Sequence, residues 1–248
     1  MKPIITFKNV KKKYGKVIAL NDLSFDIHNN DRIGLIGNNG CGKTTTINIM
    51  CNLISYDLGE VIVFDKKVKT NYVSYKSKMG IVLSEPYYID DFTIEQYWEF
   101  VCKYQKVSHH ETKNRIMDLI EFLNLNDHRK KKIHQLSSGN RSKVSLGSAL
   151  IHNPQLLVLD EPFVNLDIET TEQLKSLLKK VLQSKTMFIT SHDLDLVIDL
   201  CNIFFIMEKG KIIDVYNLKD FNDQFELKDH IKQKVTKEKP NTELAWLK

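Results

Sequence analysis

Apolar residues occur along the chain in short runs whose spacing distinguishes two kinds of strand. Residues 4–27 alternate apolar and polar positions, which predicts the antiparallel strands of a side sheet. Residues 156–159 are unbroken Leu and Val, a pattern typical of a parallel sheet that is buried on both faces. Residues 32–36, 186–189 and 203–207 predict further strands. No run approaches the ~18 residues of a spanning helix, so we expect that the chain does not itself cross a membrane.

Helical spacing is strongest in the middle of the chain. Two sets of apolar residues recur there at i, i+3, i+4 and i+7: Ile94, Tyr97, Trp98 and Val101, then Ile116, Leu119, Ile120 and Leu123. They predict a small helical lobe, inserted at about residues 86–135, whose core contains most of these side chains, including that of Trp98. Residues 44–53 and 194–201 predict further helices.

The last part of the chain carries a weaker signal. A turn at Lys209 and Gly210 leads into the apolar segment 211–216, and no pattern is evident beyond Asn217. We therefore expect one domain over residues 1–218, followed by a basic tail over residues 219–248 that is only partly ordered.

Composition excludes several classes of protein. With 42% hydrophobic and 27% charged residues, and few glycines and prolines, the 248-residue chain is neither fibrous nor mostly disordered. The net charge of +5 comes from basic runs at 11–13, 129–132 and 228–239, which we interpret as solvated surface, with no nucleic-acid partner expected. The start has no secretory h-region, so we expect a cytosolic protein. The four cysteines lack C-x-x-C spacing and predict reduced thiols, without zinc or disulfides.

Four of the ten glycines lie close together, at Gly34, Gly37, Gly40 and Gly42. Residues 37–44 read GNNGCGKT, which is the phosphate-binding pattern G-x-x-x-x-G-K-T between a predicted strand and a predicted helix. Bare backbone N–H groups and the helix N-terminus attract phosphate oxygens. Lys43 would reach the β- and γ-phosphates, and the Thr44 hydroxyl would bind Mg²⁺. The alternative is a plain glycine-rich turn. The candidate nucleotide-binding residues are Gly37, Asn38, Asn39, Gly40, Cys41, Gly42, Lys43, Thr44 and Thr45.

A second strand ends on two acidic residues. After the apolar residues 156–159 come Asp160 and Glu161, where the carboxyl end of a parallel strand opens on a ligand crevice. Asp160 would orient the Mg²⁺ ion, and Glu161 would accept a proton from the attacking water. The alternative is that Asp160 is a helix N-cap beside a solvated glutamate.

A further serine-rich helix start precedes this strand. Residues 136–143 read LSSGNRSK and open a helical run, so Ser137 and Ser138 lie where free N–H donors form a second anion site. Two phosphate-binding helix ends in one chain suggest that two chains pair, each offering its second site to the other's nucleotide.

In order and spacing, these motifs resemble the ATP-binding-cassette (ABC) family over residues 14–210. Residues 37–44 are similar to its Walker A motif, 136–140 to its signature, 156–161 to Walker B, 164–167 to the D-loop, and His192 to the switch histidine. Ser138 and Asn140 depart from the more usual signature LSGGQ. The resemblance implies an α/β fold: a P-loop NTPase core with a mostly parallel sheet, an antiparallel side sheet and a small helical lobe.

The resemblance also implies roles for particular residues. Lys43, Glu161 and His192 would be catalytic, and Thr44, Asp160 and Ser84 would contact the metal. Further nucleotide contacts would come from Tyr14, which would stack on adenine, and from Ser137, Ser138, Gly139, Asn140 and Asp167. At Ser84 the family usually has a Mg²⁺-contacting glutamine. Either Ser84 contacts the metal through water, or Glu85 partly substitutes.

At the level of function, the resemblance implies an ATPase subunit that uses ATP and Mg²⁺ and forms a homodimer or heterodimer. Its partners would be transmembrane permease subunits, which would hold it on the inner face of the cell membrane. The aromatic and acidic segment 87–92 would dock the permease, or is an ordinary surface loop. The signature and Ser84 region are most similar to exporter ATPases of the bacterial ABC-2 group. The alternatives are an assembly ATPase with a soluble partner and a scaffold that binds ATP but barely hydrolyses it.

Overall fold

The computed structural model describes residues 2–68, 75–164, 166–182 and 185–235. The strands are β1 (Ile5–Tyr14), β2 (Val17–Ile27), β3 (Arg32–Ile36), β4 (Leu58–Val63), β5 (Lys66–Lys67), β6 (Met79–Val82), β7 (Leu156–Asp160), β8 (Thr186–Thr190), β9 (Ile203–Glu208) and β10 (Lys211–Asn217). The helices are α1 (Lys43–Met50), α2 (Ile94–Tyr104), α3 (His109–Phe122), α4 (Ser138–Leu150), α5 (Ile168–Val181), α6 (Leu194–Leu200) and α7 (Gln224–Val235). None of the helices within these ranges has the length and apolar character needed to span a bilayer.

The central sheet has the strand order β10-β9-β3-β8-β7-β6 across the described residues. Strands β9, β3, β8, β7 and β6 run parallel, and β10 is antiparallel at the edge. Leu156 and Val158 pack into one hydrophobic core, whereas Leu157 and Leu159 pack into the other. The predicted parallel sheet with two buried faces is therefore confirmed. Its strands β3, β7 and β8 all end at one edge, which brings the predicted motifs together.

The side sheet has the order β2-β1-β4-β5 in the part of the chain that the structure describes, and its strands are antiparallel. Alternating residues such as Ile5 and Phe7 are buried in the core shared with α1, which confirms the interpretation of residues 4–27. Strands β4 and β5 were not predicted. Leu58, the first residue of β4, is exposed, and β5 has only two lysines, so neither gives a strong alternating pattern.

Trp98 packs the helical lobe against α4, which begins at the signature residues and is called the signature helix. This side chain is fully buried, as predicted, and its Nε1 donates to the Val144 carbonyl and to Ser148 Oγ, each at 3.1 Å. Gly147 makes room for the ring, because a Cβ at this position would lie 2.3 Å from an indole carbon. Helix α2 begins with a capping box in which Thr93 and Gln96 exchange hydrogen bonds. The lobe and α4 are thus one packed unit.

Helix α7 lies in the region where the sequence showed no pattern. Its Leu227 and Ile231 are fully buried and belong to the core that contains α6 and β9, while Phe225 is exposed. An ion pair joins Lys234 to Asp214 of β10 at 3.2 Å. Two buried residues four apart are too few for a helical signal, because charged residues occupy most of the other positions.

Trp98→Ala should destabilise the protein strongly. Removing a fully buried indole leaves a cavity, for which we expect a loss of about 3–5 kcal/mol in the free energy of unfolding. Urea unfolding followed by circular dichroism measures this loss. Phe100→Ala, in the same helix, is the matched control: its ring is 48% exposed, and the expected loss is about 1 kcal/mol. Equal losses for the two variants would contradict the packing described.

Candidate functional site

The phosphate loop joins β3 to α1 and is pressed against two strands. A Cβ at Gly37 would lie 2.3 Å from the Met207 carbonyl oxygen of β9. Gly42 has a φ of 116°, and a Cβ there would lie 2.6 Å from the Ala19 carbonyl oxygen of β2. The Gly210 N–H, from the turn after β9, donates to the Cys41 carbonyl at 2.8 Å. Glycine is therefore required at both ends of the loop, and the loop's shape is set by packing.

The outer face of the loop suits an anion. Asn38, Asn39, Gly40 and Thr44 are exposed, and Thr45 is half-buried. The first N–H groups of α1 have no partner inside the helix, and the helix dipole adds roughly half a positive charge there. Lys43 is buried, and its Nζ donates to the Gly37 carbonyl at 2.8 Å. An ammonium held beside free N–H donors is the arrangement that binds phosphate groups.

Cys41 points away from this face. Its side chain is buried, and burial raises the pKa of the thiol, so the group is neutral. Its backbone N–H donates to the Asn38 carbonyl at 3.2 Å, which shapes the loop. Cys41 was a candidate nucleotide-binding residue, but its buried side chain supports the loop from behind.

Asp160 supplies a buried carboxylate at the end of β7. Its Oδ1 accepts a hydrogen bond from Thr190 Oγ1 at 2.6 Å, while Oδ2 is buried and has no hydrogen-bond partner within the described residues. Because a buried, unpartnered carboxylate oxygen is unfavourable, this atom fits a cation ligand. Asp160 lies inside a strand, so the N-cap alternative is wrong.

The donors Thr44 and Asp160 suit a Mg²⁺ ion, which needs few protein ligands, better than a metal ion that is bound by protein side chains alone. The part of the chain that the structure describes contains no group of three His, Cys, Asp or Glu side chains that could hold a metal. Mg²⁺ usually takes one or two protein oxygens and completes its shell with phosphates and water. The exposed hydroxyl of Thr44 and the free oxygen of Asp160 are such donors.

The three predicted catalytic residues converge beside Asp160. Glu161 Oε2 accepts from the His192 N–H at 3.3 Å and lies 3.0 Å from His192 Nδ1. Glu161 Oε1 lies 4.0 Å from Lys43 Nζ. The Glu161 backbone adopts a left-handed φ of 49°, and its N–H donates to both the carbonyl and the hydroxyl of Thr190, each at 3.1 Å. A carboxylate held beside a lysine and an imidazole at the edge of the sheet is placed to accept a proton.

Ser84 and Tyr14 lie at the edges of this site. Val82 of β6 pairs with Leu159, so Ser84 follows β6 at the sheet edge where Asp160 ends β7, and its side chain is exposed. Tyr14 ends β1 and is 49% exposed, with Lys12 Nζ 5.3 Å from the ring centroid. Its ring therefore lies at the surface and does not pack into the core.

The signature residues form an exposed helix start. Ser137 caps α4 by accepting a hydrogen bond from the Asn140 N–H at 3.3 Å, and both Ser137 and Ser138 are exposed. Asn140 is half-buried. Gly139 is buried, and a Cβ there would lie 3.5 Å from Asp167 Oδ2. The signature and the D-loop aspartate of one chain are thus neighbours. Asn165 of the predicted D-loop lies outside the described residues.

Several supporting residues were missed at the sequence level. The Tyr88 hydroxyl donates to the Arg141 carbonyl of α4 at 2.9 Å, and burial raises the Tyr88 pKa to about 12. Gly210 supports the phosphate loop, and Thr190 contacts both acids. A signal for Thr190 existed, because the predicted strands 156–159 and 186–189 are each followed directly by a polar residue, Asp160 and Thr190.

Asp167→Asn should lower stability in a pH-dependent way. The Thr170 N–H and hydroxyl donate to Asp167 at 2.8 and 2.9 Å and lower its pKa below the ordinary 3.8. Asp167 therefore contributes its full stabilisation above pH 3.8, and loses it as the pH falls through the lower, folded-state pKa. We expect the gap between wild type and variant to shrink from pH 6 to pH 3 in urea unfolding. Exposed Asp118→Asn is the control, and a constant gap for Asp167→Asn would contradict this assignment.

Comparison with known proteins identifies the family. The family model for the ABC transporter matches residues 20–164, more than half of the chain. The linearmycin resistance ATP-binding protein LnrL of Bacillus subtilis (strain 168) is 31% identical over 209 residues, covering 84% of this chain and 67% of that protein. Methionine import ATP-binding protein MetN 1 of Staphylococcus aureus (strain USA300) is 31% identical over 220 residues, covering 86% and 64%.

A solved structure gives the same answer for the fold. The dimeric post-hydrolysis state of the ATP-binding cassette MJ0796, bound to ADP and Pi, superposes with a TM-score of 0.79 at 25% identity, covering 88% of this chain and 100% of that one. The predicted α/β P-loop architecture, with its side sheet and helical lobe, is confirmed. The chain therefore belongs to the ABC transporter family, as an ATP-binding subunit that hydrolyses ATP.

Proposed function

We propose that this subunit binds ATP and Mg²⁺ in a head-to-tail dimer, with an identical or related partner, and drives transport through separate transmembrane subunits. The observation that carries the proposal is that one chain has two candidate phosphate-binding ends on different elements, the phosphate loop before α1 and the signature at the start of α4. Lys43, Glu161 and His192 converge at the sheet edge, while the signature serines Ser137 and Ser138 are exposed at the start of α4. An exposed anion site is completed when a second chain supplies the nucleotide.

Within each proposed site, different residues of the chain bind the phosphates, hold the metal and accept the proton. Lys43 and the first N–H groups of α1 bind the phosphates, and Thr44 and Asp160 hold Mg²⁺, with Ser84 or Glu85 beside them. Magnesium, when bound, neutralises phosphate charge. Glu161 takes a proton from the attacking water, and His192 holds the carboxylate through the contacts at 3.0 and 3.3 Å. Tyr14 stacks on the adenine, and Ser137, Ser138, Gly139, Asn140 and Asp167 complete the partner's site.

Segment 87–92 is the proposed contact with the transmembrane subunit. Tyr87 is 86% exposed, whereas the neighbouring Tyr88 donates to the Arg141 carbonyl at the start of α4. Asp91 pairs with Lys132, just before the signature, at 3.0 Å. A partner that moves this segment therefore acts on the signature helix, and ATP can favour one arrangement of the partner over another. This contact would hold the subunit on the cytoplasmic face of the membrane.

Export is the proposed direction of transport. It is supported by the similarity to an ATP-binding protein named for linearmycin resistance. The equal identity to a methionine import ATP-binding protein supports a second candidate, an import ATPase. The two differ in the direction in which ATP hydrolysis moves the substrate, which transport into inside-out vesicles measures directly.

Glu161→Gln should trap an ATP-bound dimer. Glutamine cannot accept the proton, so we expect kcat for ATP hydrolysis to fall roughly 100-fold or more while nucleotide binding persists. Phosphate release measures the rate, and light scattering with ATP and Mg²⁺ measures the dimer. Lys43→Ala is the matched control, because it removes a cation from the phosphate site and should stay monomeric. A Glu161→Gln variant that hydrolyses ATP normally, or stays monomeric, would contradict the proposed site.

Tyr87→Asp should weaken the complex with the transmembrane subunits. A charge in place of this highly exposed aromatic side chain should reduce co-purification in detergent about tenfold or more, with basal ATPase activity retained. Phe225→Asp on α7, where the ring is also highly exposed, is the control and should co-purify normally. If a soluble protein co-purifies in place of a membrane protein, the chain serves an assembly pathway and the transport proposal is wrong.

A further inference from the structure

Thr190 is the only residue among those described whose hydroxyl bonds to both Walker B acids. It is the last residue of β8, is fully buried, and pairs in register with Asp160. Its hydroxyl donates to Asp160 Oδ1 at 2.6 Å and accepts from the Glu161 N–H at 3.1 Å. The Glu161 N–H also reaches the Thr190 carbonyl at 3.1 Å. One side chain thus connects the two neighbouring acids, although their proposed tasks differ.

The bond to Asp160 decides which oxygen is available to a metal. Because Thr190 occupies Oδ1 and fixes the carboxylate plane, Oδ2 is left as the buried oxygen without a partner in the described part of the chain. Without the hydroxyl, the carboxylate can rotate about its last bond, and Oδ1 also lacks a partner. Partners that orient a metal ligand in this way tune the metal site from outside it.

The bond to Glu161 holds an unusual backbone conformation. A φ of 49° is rare for a glutamate, and it persists when surrounding contacts determine it. The two acceptors on Thr190 provide those contacts, and they turn the side chain toward His192 Nδ1 and Lys43. Loss of the hydroxyl leaves only the carbonyl to hold the Glu161 N–H.

We propose that Thr190 is a positioning residue that sets the metal-binding oxygen of Asp160 and the orientation of Glu161 through a single hydroxyl group. This inference rests on the proposed roles of Asp160 and Glu161. It assigns a function to a buried strand residue whose hydroxyl contacts the two acids. The hydroxyl is the required group, so serine should replace threonine and valine should not.

Thr186 provides a matched control in the same strand. It is also buried, at the opposite end of β8, and its hydroxyl accepts a hydrogen bond from the Asn30 N–H at 2.9 Å. Thr186→Val removes a buried hydroxyl from β8 without touching the acids. If burial or strand packing were the whole role of these threonines, the two valine variants would behave alike.

The experiment compares Thr190→Val, Thr190→Ser and Thr186→Val in the full chain. For Thr190→Val we expect a roughly 10- to 100-fold fall in kcat, with the KM for ATP nearly unchanged because the phosphate loop is intact. Electron paramagnetic resonance of Mn²⁺ added to the ADP complex, where no turnover occurs, should show metal affinity reduced by roughly tenfold or more. Thr190→Ser should restore both quantities, and Thr186→Val should match wild type.

The outcomes separate this inference from the proposed function. Wild-type kcat and Mn²⁺ affinity in Thr190→Val would overturn the role of Thr190, and so would equal losses in Thr186→Val or a failure of serine to rescue. Asp160→Asn and Glu161→Gln are measured in parallel. If those two variants retain full activity, the proposed site itself is wrong. If Thr190→Val does not fold, as judged by circular dichroism, the Thr190→Ser and Thr190→Cys pair decides, since cysteine is only a weak donor and should behave as valine.

Discussion

Burial of the central sheet on both faces is the constraint on which the rest of the structure depends. A strand with apolar side chains on each face has no place for an unpaired charge along its length, because desolvation there is too unfavourable. Asp160 is therefore at the end of β7, at the sheet edge, where the Thr190 hydroxyl donates a hydrogen bond to its carboxylate. Since β3 runs parallel to β8, the phosphate loop begins at that same edge. The convergence of loop and acids follows from strand direction.

A second consequence concerns the signature serines, which lie on a different element from the phosphate loop and the two acids. The phosphate loop and the two acids lie together at the edge of the central sheet, but the signature serines lie at the start of α4, which packs with the helical lobe. The side of α4 that is buried is fixed by Val144 and Leu146, so its capped end is left exposed. Buried apolar residues thus decide which polar groups gather at the edge of the central sheet and which are left exposed at the start of α4.

How much of this could be predicted from the sequence depended on how local each signal was. The phosphate-loop pattern of Gly37 to Thr44 was recognisable because its residues are consecutive, and the burial of Trp98 was predicted because its helix has a wide apolar face. Helix α7 was missed because Leu227 and Ile231 are its buried anchors among charged residues. The capping of α5 by Asp167 and the link from Tyr88 to Arg141 were missed because each depends on neighbours that only folding brings together. The sequence resemblance supplied roles for Ser84 and Tyr14, and the geometry places both at the rim.

The packing of the Trp98 indole against Gly147 couples the movements of α2 and α4. The ring of α2 packs against Gly147 of α4 and donates hydrogen bonds to Val144 and Ser148. The two helices therefore cannot move past one another without breaking these contacts together. Because the ring and its hydrogen bonds hold the lobe and α4 together, we expect a displacement of the lobe to move the start of α4 with it. Loosening the packing of Trp98 against Gly147 would therefore uncouple movements of the lobe from the start of α4.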